Sequence, residues 1–66
     1  MSQLLEFFTY AHLPAHLQKV SKPFCDLAHH ICHEVPVNAE QEMALRKLLE
    51  AKDCAVRAVI MKGTIG

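Results

Sequence analysis

The sequence predicts an all-α protein: an antiparallel helical hairpin behind a short N-terminal segment, assembled into a homo-oligomer. Three observations predict it. Apolar residues recur every three to four positions through two long stretches, 14–35 and 39–61, which is the helical period. Pro36 and Asn38 separate the stretches, and helices joined by so short a link must lie side by side in opposite directions. Of the 66 residues 52% are hydrophobic and only two are Gly, a composition unlike that of disordered chains. It also carries more apolar surface than one small hairpin can cover, so partner copies are expected. A chain this short forms a single domain, 1–66, and is marginal when alone.

The first helix is expected over about 14–35. Leu17, Val20, Phe24, Leu27 and Ile31 form its apolar stripe. Pro14 suits a first helical turn. Pro23 does not suit a helix interior, because it lacks an N–H and crowds the preceding turn. A kink there, or a new helix capped by Ser21, is the expected consequence. "VPVN" at 35–38 ends this helix.

The second helix is expected over about 39–61. Asn38 stands at its cap, with Gln41 at the capping-box position and Glu40 and Glu42 in the first turn, where the helix dipole favours acids. Two apolar stripes run along it. Ala44, Leu48, Ala51, Ala55 and Ala58 form a small one; Leu45, Leu49, Val56 and Val59, with Lys52 among them, form a bulkier one. Two stripes call for two neighbours, the first helix and another subunit. Glu42–Arg46, Arg46–Glu50 and Asp53–Arg57 are spaced to pair along the polar face. Lys62 and Gly63 provide a helix end, after which the chain frays.

Formal net charge is zero with a pI of about 6.9, which argues against a grip on nucleic-acid polymers. No apolar run is long enough to span a membrane and no signal peptide is visible. The three cysteines, at 25, 32 and 54, read as reduced thiols of a cytoplasmic protein.

Cys25, His29, Cys32 and His33 resemble metal ligands by type. One helix face rarely converges four ligands, and no C-x-x-C is present, so no metal or other cofactor is expected. The alternative is a Cys packed as a small hydrophobe beside exposed histidines. A Cys–His nucleophile would need a shelter and an oxyanion site that nothing here supplies. No catalytic residue is assigned and the chain is not expected to be an enzyme.

Residues 8–14, "FTYAHLP", have two readings. One is a hydrophobic clasp in which Phe7 and Phe8 cover the hairpin. The other is the lip of a binding site: Phe8 and Tyr10 offer ring faces, and His12 follows. Stacking on an aromatic side chain stabilises a bound base, and Lys or Arg neutralises phosphates. Lys22, Arg46, Lys47, Lys52 and Arg57 are the candidate cations. Lys52, within the bulky stripe, either snorkels to water or lines an anion pocket. Arg46 and Lys47 line two sides of a cleft or form a solvated face.

Taken together, "FTYAHLP", a helix, a Pro-containing turn and "ALRKLLEAKD" resemble the helical-hairpin domain of phage nucleotide-sponge proteins, the small anti-CBASS proteins and the related anti-Thoeris sponges. The matching positions are Phe8, Thr9, Tyr10 and Pro14, then Leu27 and Ala28, then Pro36, Glu42, Ala44, Leu45, Lys47, Leu48, Glu50 and Ala51. The resemblance spans about 8–60. It implies a homo-oligomer, commonly a hexamer, in the host bacterial cytoplasm. Such an assembly binds cyclic di- or trinucleotide signals of antiviral defence and sequesters them uncut. Phe8, Tyr10 and Lys47 carry over as matched ligand positions. The chain departs from the family at Pro23 and at Lys52–Ala55, where relatives carry an aromatic-containing stretch. The competing expectation is a structural hairpin oligomer that binds a host protein.

Overall fold

The computed structural model describes residues 3–61. A 3-10 helix, Gln3–Phe8, leads through a turn into α1, Ala15–Glu34; a short link leads to α2, Ala39–Met61. The described residues are helical or in turns, with no strand among them. The two long helices pack side by side, and the 3-10 helix lies against both. The molecule measures 41 × 22 × 16 Å, so its long axis is set by α2, whose 23 residues at about 1.5 Å rise span most of it.

The core sits where the three elements meet. Leu5, Phe8, Cys25, Ala28 and Leu45 form the buried cluster. Phe8 and Leu45 are its largest fully enclosed side chains. The α1 seam is made of Leu17, Ser21, Cys25 and Ala28, one step round the helix from the expected stripe. Leu17 is shared; Phe24 and Ile31 are partly buried at its edge; Leu27 is exposed. The reason is volume. Phe8 and Leu45 enter the seam from outside α1, so the residues facing them must be small. Cys25 therefore serves as a compact apolar residue, and burial pushes its thiol pKa up.

Ser21 is fully buried and its Oγ has no hydrogen-bond partner. It is no helix cap: α1 continues without interruption through Pro23. The expected restart does not occur. Lys19, whose carbonyl loses its partner to the missing Pro23 N–H, lies with Pro23 on the exposed side, where water replaces that bond. Pro14 occupies the cap position, one residue before the helix, with φ −57° and ψ 154°. Its carbonyl accepts the N–H groups of Leu17 and Gln18 at 2.9 and 3.0 Å.

At the start of α2 the Asn38 Oδ1 accepts the Gln41 N–H at 2.9 Å, the expected cap. Gln41 does not close a reciprocal box. Its side chain is buried and Nε2 donates to the Val35 carbonyl at 3.3 Å, tying the link back to the end of α1. In α2 the bulky stripe faces the hairpin: Leu45 is buried and Leu49, Lys52, Val56 and Val59 are half-buried. Of the small stripe, Ala44, Ala51 and Ala58 face outward, while Leu48 and Ala55 are half-buried. The expected helix end at Lys62 and Gly63 lies outside the described residues.

Candidate functional site

The N-terminal segment is shaped by backbone acceptors. Thr9 caps the 3-10 helix, its Oγ1 donating to the Glu6 carbonyl at 2.7 Å. The Leu13 N–H donates to the Tyr10 carbonyl at 3.0 Å, closing a four-residue turn. Gln18 of α1 then reaches back: its Nε2 donates to the Leu13 carbonyl at 2.7 Å and to the Ala11 carbonyl at 3.3 Å. That grip fixes the backbone of "YAHL" over the hairpin.

The turn forms one wall of a cleft of about 330 Å³. Glu6, Phe7, Thr9, His12 and Leu13 line it from the N-terminal segment; Lys52, Asp53, Val56 and Arg57 line it from α2. Three candidate ligand residues, His12, Lys52 and Arg57, thus share one concavity although more than half the chain separates the first from the others. Lys52 is the most enclosed cation, its side chain 13% exposed, with Nζ 3.0 Å from the Asp53 carboxylate. That pairing replaces the expected Asp53–Arg57 bridge. Arg57 instead directs Nη2 to the Cys54 Sγ at 3.3 Å. The cleft is shallow and partly open to solvent, so a ligand seated in it remains partly uncovered.

Of the two rings expected to clasp the hairpin, Phe8 does so and Phe7 does not. Leu5 and Phe8, three apart, share the inward edge of the 3-10 helix and are buried, a spacing that eclipses side chains in this helix type. Phe8 is therefore core and has no face left for a ligand, which corrects its assignment as a ligand residue. Phe7 is 58% exposed and stands between the cleft and a second groove. That groove, about 430 Å³, is lined among others by Gln3, Phe7, Val37, Asn38 and Arg46. Among the described residues Arg46 is the one cation that lines it. Lys47 is exposed and lines neither concavity.

Tyr10 is half-buried and packs on the core cluster. It lies near Lys22 of α1, whose ammonium is hydrogen-bonded to Asp26 at 2.9 Å in an exposed pair. The Asp26 hydrogen bond and charge, with Tyr10 adding, hold the Lys22 pKa above the usual lysine value. Lys22 thus meets its own carboxylate before any phosphate. Among the described residues no group of three or more His, Cys, Asp or Glu converges to hold a metal ion, and no helix among them is long and apolar enough to cross a membrane.

Sequence reasoning missed Phe7 and Thr9 as cleft residues. The signal was the i, i+3 pairing of Leu5 with Phe8, which turns Phe7 outward. No family model, no curated protein and no solved structure matches this chain.

Proposed function

We propose that this protein is a phage-type sponge, a homo-oligomer of hairpins, commonly hexameric in the family it resembles, that binds a cyclic di- or trinucleotide signal of bacterial antiviral defence and sequesters it uncleaved. The observation that supports this reading is the meeting of His12, Lys52 and Arg57 with the exposed ring of Phe7 in one open cleft. A nucleotide needs a ring face to stack on and cations for its phosphates; the cleft offers the Phe7 ring with Lys52 and Arg57, set beside the Glu6 and Asp53 carboxylates. Tyr10 and Lys22, also candidate ligand residues, lie outside this lining. Arg46 or Lys47 of a neighbouring subunit supplies further positive charge across the opening. The function calls for no proton shuttle or nucleophile, because the ligand is stored and released intact.

Titration calorimetry against a panel of cyclic di- and trinucleotides, followed by chromatographic recovery of the ligand, tests the proposal. The expected result is stoichiometric binding and an unchanged nucleotide. Phe7→Ala weakens binding by roughly 1–3 kcal/mol, the value of one stacked base, and leaves the oligomer intact; Tyr10→Ala, at a ring packed on the core, tells a clasp from a ligand contact by whether the oligomer or the binding is lost. Absence of binding across the panel refutes the sponge, and a degraded ligand makes the protein an enzyme.

A second reading follows from exposed apolar residues outside the cleft. Val37, 82% exposed in the link, and Ile60, 61% exposed, lie at opposite ends of α2 and would each add apolar contact to a hairpin oligomer that docks on a host protein. It predicts a captured partner and no nucleotide affinity.

A further inference from the structure

Six exposed positions of α2 form a stripe on the side turned away from the hairpin: Glu40, Met43, Lys47, Glu50, Cys54 and Arg57. On the opposite side Leu45 belongs to the core cluster and Leu49, Lys52, Val56 and Val59 are half-buried, so the rest of the chain leaves the stripe uncovered. Arg57 lies along it, with Nη2 3.3 Å from Cys54 Sγ. Glu40, Lys47 and Glu50 join no salt bridge among the described residues. The spacing alternates between three and four, the period of helices that wind about each other. From 40 to 57 the gaps run three, four, three, four, three, the same in both directions. A second copy turned end for end therefore falls in step: position 40 meets 57, 43 meets 54 and 47 meets 50. Both charged meetings join opposite signs, Glu40 with Arg57 and Lys47 with Glu50, and two-fold symmetry makes each of them twice. The third meeting sets Met43 against Cys54, apolar on both sides. Neighbouring registers set like charges together. A slip of seven residues one way brings Lys47 to Arg57; the other way it brings Glu40 to Glu50. A parallel mate in register sets every charge against itself.

We propose that two copies of the chain meet through this face of α2, antiparallel and centred in sequence between positions 48 and 49. The partner is a second copy because this arrangement matches every charge of the stripe with its opposite. Ala51 and Ala58, exposed beside the stripe, let the two helices approach closely. The proposal goes beyond the sponge reading, which asks for an oligomer and names no surface for it. Lys47 belongs to the seam and Arg46 lies outside it. Arg57 belongs to both seam and cleft, so the copies meet at the edge of the cleft.

Sedimentation equilibrium of the full chain and disulfide trapping test it. Lys47→Glu puts two like-charge contacts into the seam and is expected to weaken self-association about tenfold; Glu50→Lys does the same. The double variant Lys47→Glu/Glu50→Lys restores opposite pairing and recovers the affinity, which damage to the fold by either change would not allow. In Met43→Cys, mild oxidation is expected to join position 43 to the partner's Cys54, as read by peptide mass. Unchanged association in both single variants, no recovery in the double variant, or cross-links of 43 to 43 or Cys54 to Cys54 each overturn the proposal. So does a wild-type chain that stays monomeric at every concentration. Calorimetry against the cyclic nucleotide panel keeps the two readings apart. Assembly in this register without nucleotide binding upholds the seam and sinks the sponge; nucleotide binding with unchanged association in the charge variants does the reverse.

Discussion

Phe8 and Phe7 are adjacent in sequence and opposite in consequence. Phe8 fills the seam between two helices that it does not belong to, so Phe8→Ala leaves a cavity and costs about 3–5 kcal/mol. For a chain of this length that is most of its stability, and loss of the helical circular-dichroism signal at room temperature is expected. Phe7→Ala leaves the unfolding midpoint nearly unchanged, since an exposed side chain contributes within about 0.5 kcal/mol. Cys25 carries a different prediction. Burial raises its thiol pKa above 9.0 in the fold, and its neighbour Lys22 is raised above 10.5. In both cases the folded chain holds its proton longer than the unfolded chain. The associated stability is complete below pH 9.0 and declines as the pH rises through the Cys25 and then the Lys22 range. Urea unfolding in steps from neutral pH upward reads this slope, and Cys25→Ala removes its earlier part. Stability rising with pH there contradicts it. None of this was visible in hydrophobicity alone, because the stripe pattern favours large residues and the seam needed small ones.

At the level of elements, what was legible was local. The end of α1 and the start of α2 follow from Pro36 and Asn38, whose effects act within a few residues. Asn38→Ala removes the acceptor of the Gln41 N–H and costs about 1 kcal/mol in thermal unfolding, whereas Asn38→Asp keeps it. The first helix was harder. Pro23 warned of a break that did not happen, because the lost bond falls on the exposed side where solvent replaces it. The rotation of α1 was set by Phe8 and Leu45, which are distant in sequence. The cleft shows the same division. His12, Lys52 and Arg57 were nameable as candidates, but their meeting, and the outward turn of Phe7, depend on how the 3-10 helix docks. Gln18 was unread because its partners are carbonyls, which every sequence has.

The whole molecule is thin for its length. Its radius of gyration of 12.9 Å exceeds the roughly 11 Å of a compact chain of this size, and among the described residues six hydrophobic ones make up the buried core. Leu27, Val37, Met43, Ile60 and Met61 remain substantially exposed. A chain so shaped gains most by adding copies along α2, where outward-facing Ala44, Ala51 and Ala58 let another helix approach closely. The expected outcome is a multimer by analytical ultracentrifugation and a melting temperature that climbs with protein concentration. A monomer with a concentration-independent midpoint excludes it. Apolar excess raised this expectation in the sequence; the surface it would use depends on which face of α2 the first helix occupies.

Gln18 holds the turn by the oxygens of Ala11 and Leu13 and touches the side chain of neither in doing so. Shape and chemistry are thereby uncoupled at the rim of the cleft. Ala11 and His12 can be exchanged without rewriting the scaffold beneath them, so the rim is free to diversify while the hairpin stays the same. A library randomised at these two positions should retain foldability across most members, as read by helical circular dichroism.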